Sequence, residues 1–189
     1  MYPEYAEING KQYKIDTDYR TALKCFDVIN DDSIHDYERA LAIIYLLFEV
    51  VPQNDKELDI FLEKTKYYLQ CGKKLEKTKE PDIDFKQDAG YIMSSFMSDY
   101  HVDLNVVNLH FWQYIDLIEG LTNECVLNRV RDIRNFDISK EKDAKKRKEI
   151  IEMKKRVALK KNDKTKEQQK MAKSIFERVG LRKEWFYGS

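Results

Sequence analysis

The chain has 189 residues, 42% of them apolar and 36% charged. That is too apolar for a disordered chain and more charge than a compact globule requires, so one real core with a surplus of solvated helix surface is expected. Six Gly and three Pro leave few sharp turns, which argues against a sandwich or barrel. The formal net charge is zero, yet residues 1–139 carry 16 Lys+Arg against 26 Asp+Glu and residues 140–189 carry 18 against 8. An acidic body near −10 therefore carries a basic extension near +10.

The elements follow in order. Tyr5–Ile8 and Gln12–Ile15 alternate in polarity about Asn9-Gly10, both of which tolerate the positive φ of a type I′ turn, so a small β-hairpin is predicted. Thr17 or Asp18 caps a first helix with Tyr19, Ala22, Leu23, Phe26 and Ile29 at spacings of three and four. Asp31, Asp32 and Ser33 end it and cap a second, over Asp36 to Val51. That helix is apolar on nearly every side after Arg39 and is expected in the middle of its bundle, with Pro52 as its stop. Asn54 or Asp55 caps a third helix bearing Leu58, Phe61, Leu62, Thr65 and Leu69 on one face, ending near Gly72.

Residues 73–83 are charged, carry Pro81 and read as an exposed connection. From Asp84, the stripe Phe85, Ala89, Ile92, Phe96 and Tyr100 predicts a fourth helix. A turn at His101–Asn105 leads to a fifth with Val107, Phe111, Tyr114, Ile115 and Ile118 inward. At 100° per residue Trp112 falls well away from that stripe, and is wedged against another helix or partly exposed. Leu121-Thr122-Asn123 recaps a sixth helix with Val126, Val130 and Ile133 inward and Arg129, Arg131 and Arg134 at its sides. Near Ser139 a seventh begins and runs as solvated helix to about Lys173, broken near Asn162-Asp163. Ile175–Tyr187 turns apolar and aromatic again. The expected fold class is mainly all-α, a bundle of about six helices with an N-terminal hairpin and a basic helical C-terminal extension. In domain terms, 1–139 is the acidic body, made of 1–72 and 84–139 joined by 73–83, and 140–189 is the extension.

Chemistry is sparse. The glycines are isolated except at the C-terminus, so no phosphate-binding loop is present. No Ser sits in a G-x-S-x-G elbow, and Cys25, Cys71 and Cys125 are odd in number, unpaired in spacing and without a catalytic signature, as suits a reducing compartment. His35, His101 and His110 lack the spacing of metal ligands, and His110 reads as a satisfied, partly buried side chain. The pattern points to a protein that is not an enzyme and calls for no metal or other cofactor. MYPEYAEING has no basic n-region ahead of an apolar run, and the most apolar stretch, Ala40–Val51, contains Glu49 and is shorter than the roughly 20 residues of a span, so no membrane role is expected.

Two surfaces remain as candidates. Trp112, Phe176, Trp185, Phe186 and Tyr187 are candidate partner-binding residues, because an apolar, aromatic end after a long basic stretch has the character of a docking segment. Lys145, Lys146, Arg147, Lys148, Lys154, Lys155 and Arg156 form a helical cation cluster that could neutralise phosphates. The acidic body would repel the same polyanion, which ranks nucleic acid below a protein partner. Association between copies is a further expectation, carried by the C-terminal aromatics and persistent in high salt.

The ordered blocks NGKQYKIDTDYRTALKCFDVI, ALAIIYLLFEVVPQNDKELDIFLEKTKYYLQCGKK, DFKQDAGYIMSSFMSDYHVDLNVVNLHFWQYIDLIEGL, VRDIRNFDI and KRKEIIEMKKRVAL resemble the bacteriophage gene-product-fifteen family of siphophages and prophages, over about Ala6 to Leu159. The resemblance implies a tail-morphogenesis protein, akin to tail assembly chaperones, that binds the tape-measure protein and tail-tube subunits in the cytoplasm of an infected or lysogenic bacterial host. It supplies no catalytic residues. The alternatives are a nucleic-acid-binding phage accessory protein acting through the basic helix and a structural connector kept in the virion.

Overall fold

A computed structural model describes residues 1–73 and 82–160. These fall into two compact units, the first made of 1–73 with Asn108–Ile115 and the second of 82–107 with 116–160. The fold is mainly all-α, with seven α-helices and one two-stranded hairpin among the described residues.

In the first unit β1 (Tyr5–Ile8) and β2 (Lys11–Lys14) pair antiparallel with Ile8 opposite Lys11. Asn9 (φ 52°) and Gly10 (φ 74°) fill the two-residue turn, as the positive φ of a type I′ turn requires. The pleat sends Ile8 inward, and Ile15 follows it into the core. Asp18 then caps α1 (Tyr19–Asn30), its carboxylate accepting the Arg20 N–H at 2.8 Å.

His35, without a side-chain cap bond, precedes α2 (Asp36–Phe48). Ser33 is not the cap that the sequence suggested, because its N–H and hydroxyl are both given to Asp31 Oδ1. Arg39 is buried and ties the α1–α2 corner together, donating to Asp36 Oδ1 at 2.7 Å and to the Ile34 carbonyl at 2.8 Å. Glu49, not Pro52, ends α2: it is left-handed (φ 53°) and donates to the Tyr45 carbonyl. The Leu47 carbonyl, which a longer helix would give to Val51, accepts from Asp16 N at 2.8 Å instead. α2 packs against both α1 and α3 (Asp55–Leu69), the middle position expected of it. One face nevertheless stays open at Tyr37 and Tyr45. Asn54 caps α3 through the Glu57 N–H, and Leu58, Phe61, Leu62, Thr65 and Leu69 are buried as the stripe requires.

The second unit opens on a turn where a helix had been expected. Asp84 Oδ1 accepts from Lys86 N and Gln87 N, and Asp88 N donates to the Asp84 carbonyl at 2.8 Å, so a single capped turn stands ahead of the helix proper. α4 (Ala89–Tyr100) therefore starts five residues later than the stripe suggested, with Phe85 ahead of it. It ends at left-handed His101, whose N–H donates to the Met97 carbonyl at 3.2 Å, a left-handed closure made without glycine. α5 (Phe111–Glu119) begins in the first unit and finishes in the second.

α6 (Val126–Asn135) is capped by Cys125, whose Sγ accepts from Asn128 N. Its buried side chains are Leu127 and Val130, with Val126 and Ile133 only half-buried, so the inward face is rotated from the one expected. A 3₁₀ turn at Ile138–Lys140 precedes α7 (Ala144–Val157), which Asp143 caps and which packs on α6.

Candidate interaction surfaces

Trp112 is fixed from the first unit's side. Its indole N–H donates to the Tyr68 carbonyl at 2.8 Å, and its ring lies about 6 Å from those of Tyr67 and Tyr68. The strip that delivers it is stitched in by backbone: Tyr19 N to the Leu109 carbonyl at 3.0 Å and Phe111 N to the Thr17 carbonyl at 2.8 Å. His110 locks the same strip. Its Nδ1 accepts from Trp112 N at 3.0 Å, so the ring proton sits on Nε2 and is donated to the Pro3 carbonyl at 3.0 Å. His110 is thus the satisfied structural histidine that the sequence suggested. Trp112 is half-buried, leaving only part of its ring for a partner. Phe176, Trp185, Phe186 and Tyr187, and the break expected near Asn162-Asp163, lie outside the described residues.

Beside this strip a cleft of about 570 Å³ is lined by Asp16, Asp18, Glu49, Asn108 and His110 among others. Two of its carboxylates have structural employment: Asp16 accepts from Asp18 N and from the Thr21 hydroxyl, and Asp18 from Arg20. Cys25 is fully buried in the same unit, and burial, with Asp16 adding to it, pushes its thiol up to about 12. No thiolate nucleophile is available there near neutral pH. Among the described residues, no group of three or more His, Cys, Asp or Glu could hold a metal ion. No described helix is long and apolar enough to cross a membrane.

In the second unit, α4 shows two unlike faces. Inward, Ile92, Ser95 and Phe96 are buried, and Ser95 Oγ accepts from Leu127 N at 3.1 Å. Outward lie Ala89, Gly90, Met93, Ser94, Met97 and Ser98, all exposed and none charged. Met93 and Met97 keep 38% and 47% of their surface in solvent, and a Cβ on Gly90 would meet nothing within 4 Å. At the end of the helix, Asp99 accepts from Thr122 N and the Thr122 hydroxyl. Those bonds and one from Ser98, with the Thr122 backbone contributing most, hold its carboxyl below the usual carboxylate range.

The basic helix α7 is only partly free. Arg147 donates to the Glu141 carbonyl, Lys154 to the Phe136 carbonyl at 2.6 Å, and Lys155 pairs with Glu152 at 2.8 Å. Lys145, Lys146, Arg147, Lys148, Lys155 and Arg156 are exposed.

Sequence reasoning passed over one residue that organises this unit. Arg134, placed at the side of α6, is nearly buried and forms a two-pronged pair at 2.7 Å with fully buried Asp88. It also bonds the carbonyls of Asp82 and Val157, joining the pre-α4 turn, α6 and the end of α7. A lone Asp two residues before a glycine gives no sequence signal of this.

The ordered helices, the short hairpin and the strip Asn108–Ile115 lie within the stretch that a family model recognises: the model described as Bacteriophage Gp15 protein matches residues 2–159. The chain belongs to the bacteriophage Gp15 protein family. No curated protein and no solved structure matches the chain. As a Gp15-family chain it is a phage protein, and both of its described units lie almost wholly inside the family match.

Proposed function

We propose that this Gp15-family protein is a tail assembly chaperone, which keeps the long helical tape-measure protein soluble in the host cytoplasm and passes it to tail-tube subunits. The observation that supports the reading is the outer face of α4. In a chain with 36% charged residues, a twelve-residue helix has no charged residue before Asp99, and its fully exposed residues are Ala, Gly, Met and Ser alone. Methionine adapts its flexible thioether to irregular apolar surfaces and recurs on surfaces that take varied partners. Such a face suits the apolar stripe of an amphipathic client helix.

The test is co-expression with a tape-measure protein of the same phage. The wild-type chain raises the soluble fraction of that protein, and Met93→Glu/Met97→Glu, with unchanged circular dichroism, does not. No rise with wild type sinks the chaperone reading. An equal rise with the double variant removes α4 as the seat.

A second reading, a nucleic-acid-binding accessory protein, has its own support in α7, six of whose seven candidate cations are exposed; its test belongs to the charge balance of the whole chain.

A further inference from the structure

We propose that the N-terminal hairpin is a docking edge for a second copy of this chain, β1 of one copy pairing antiparallel with β2 of the next. Within the hairpin Tyr5 lies opposite Lys14 and Glu7 opposite Gln12. Ile15 N donates to the Glu4 carbonyl at 2.8 Å, which fixes the alternation of the antiparallel ladder: the bonded pairs fall at Glu4 with Ile15, Ala6 with Tyr13 and Ile8 with Lys11. The backbone N–H and C=O groups of Tyr5 and Glu7 therefore point away from the hairpin along one edge, and those of Gln12 and Lys14 along the other. None of these groups bonds to another described residue, and all four residues are exposed. Two unpaired edges of matching spacing stand open to a further strand.

Charge selects which edges meet. β1, with the residue before it, presents Glu4 and Glu7, whereas β2 presents Lys11 and Lys14, and all four are exposed. Setting β2 against a second β2 brings lysines together, and β1 against β1 brings glutamates together, both unfavourable across a strand pair. Only β1 against the next copy's β2 joins opposite signs, so the same residues that attract one edge repel the other. When the hairpin's own register is continued, Tyr5 lies opposite Lys14 of the next copy and Glu7 opposite its Gln12, which pairs the outward backbone groups of both strands. Glu7 then stands diagonal to that Lys14, and the Tyr5 ring can take its ammonium as Tyr13 takes Lys11 at 4.9 Å within the hairpin. The inner face, where Ile8 is buried and Tyr13 packs on Phe61, is undisturbed. Because the two edges differ, the contact is head-to-tail, and copies add in a row that stays open unless its rotation closes a ring. The pairing does not depend on the chaperone reading.

The experiment mixes two full-length chains under mild oxidation, one carrying Tyr5→Cys and the other Lys14→Cys. Opposed residues of a bonded antiparallel pair lie about 5.5 Å apart at Cα, within reach of a disulfide. A disulfide between the two kinds of chain is expected at roughly ten times the yield of either chain linked to its own kind. Wild type, in which Cys25 and Cys125 are buried and Cys71 is half-buried, sets the background. Adding Gln12→Pro to the Lys14→Cys chain removes an outward N–H and fills the edge without breaking a bond of the hairpin's own ladder. The mixed product is then expected to fall to background with circular dichroism unchanged. Glu7→Lys in the Tyr5→Cys chain leaves every backbone group in place and is expected to lower the mixed yield severalfold. Self-linking as abundant as mixed linking makes the pairing symmetric or random and overturns the proposal. So does a mixed yield at background, which leaves the edges to a strand of another protein or to none, or a mixed yield undiminished by Gln12→Pro or by Glu7→Lys. These readouts involve no client, so a chaperone test that fails leaves them interpretable.

Discussion

Gly72 sits where α3 hands the chain on, and two features make it irreplaceable. Its φ of +69° lies in the left-handed region, and a Cβ there would stand 3.0 Å from Trp112 Cη2 and 3.1 Å from Tyr67 Oη. Tyr67 is exposed and its ring can swing away, but Trp112 is held by its hydrogen bond to the Tyr68 carbonyl. The left-handed conformation costs a non-glycine residue roughly 1–2 kcal/mol before any crowding is counted. Gly72→Ala is therefore expected to destabilise the first unit by about 2 kcal/mol, read as a lowered urea midpoint with an unchanged slope. A loss well below 1 kcal/mol would mean that Trp112 yields and that its seat is loose. The sequence signalled Gly72 as a helix end and left Trp112 as either wedged or exposed. Only the packed strip decides between these, because the carbonyl that takes the indole N–H lies 44 residues away.

Elements were legible in the sequence where a local rule governs them. Asn9-Gly10 set the hairpin turn, Asp18 and Asn54 capped their helices, the stripe of α3 pointed inward, and Tyr19, Ala22 and Ile29 of the α1 stripe did so while Leu23 and Phe26 are half-buried. They were misjudged where a distant partner outbid the local rule. α2 stops at Phe48 because Asp16 takes the Leu47 carbonyl, and Asp88 offers α4 no side-chain cap because Arg134 holds its carboxylate. The second case yields a prediction. Asp88→Ala strands the buried Arg134 charge and is expected to cost about 3–5 kcal/mol, whereas Arg131→Ala, whose pair with Asp82 is partly solvated, costs below about 1 kcal/mol. Arg134→Lys cannot rebuild the two-pronged pair and should fall between them. Hydrogen exchange is the measurement, with loss of protection expected in α4, α6 and the end of α7 together. Loss confined to the turn at 84–88 would show that Arg134 does not join these elements.

At the scale of the whole molecule the charges balance, and the balance bears on the nucleic-acid reading. α7 and the residues after it supply the cations, while the sequence before Lys140 carries an excess of ten carboxylates. Screening confines each group's reach to about 8 Å at physiological salt, so α7 would meet a phosphate backbone largely on its own account. Of its seven candidate cations, Arg147 and Lys154 are already bonded to carbonyls of their own chain and Lys155 is paired with Glu152. Exposed pairs of that kind are weak and are given up readily, so Lys155 still counts with Lys145, Lys146, Lys148 and Arg156. Five phosphate contacts would give log K a slope of about −4.5 against log salt on duplex DNA. Binding that steep weakens by roughly a hundredfold between about 0.05 and 0.15 M salt unless base contacts add to it. The expected outcome is thus no retardation of duplex DNA at about 0.15 M salt by the full-length protein. Retardation that persists there, and is abolished by Lys145→Ala/Lys146→Ala/Lys148→Ala without loss of helix content, would make α7 a nucleic-acid surface and put that reading ahead of the chaperone one.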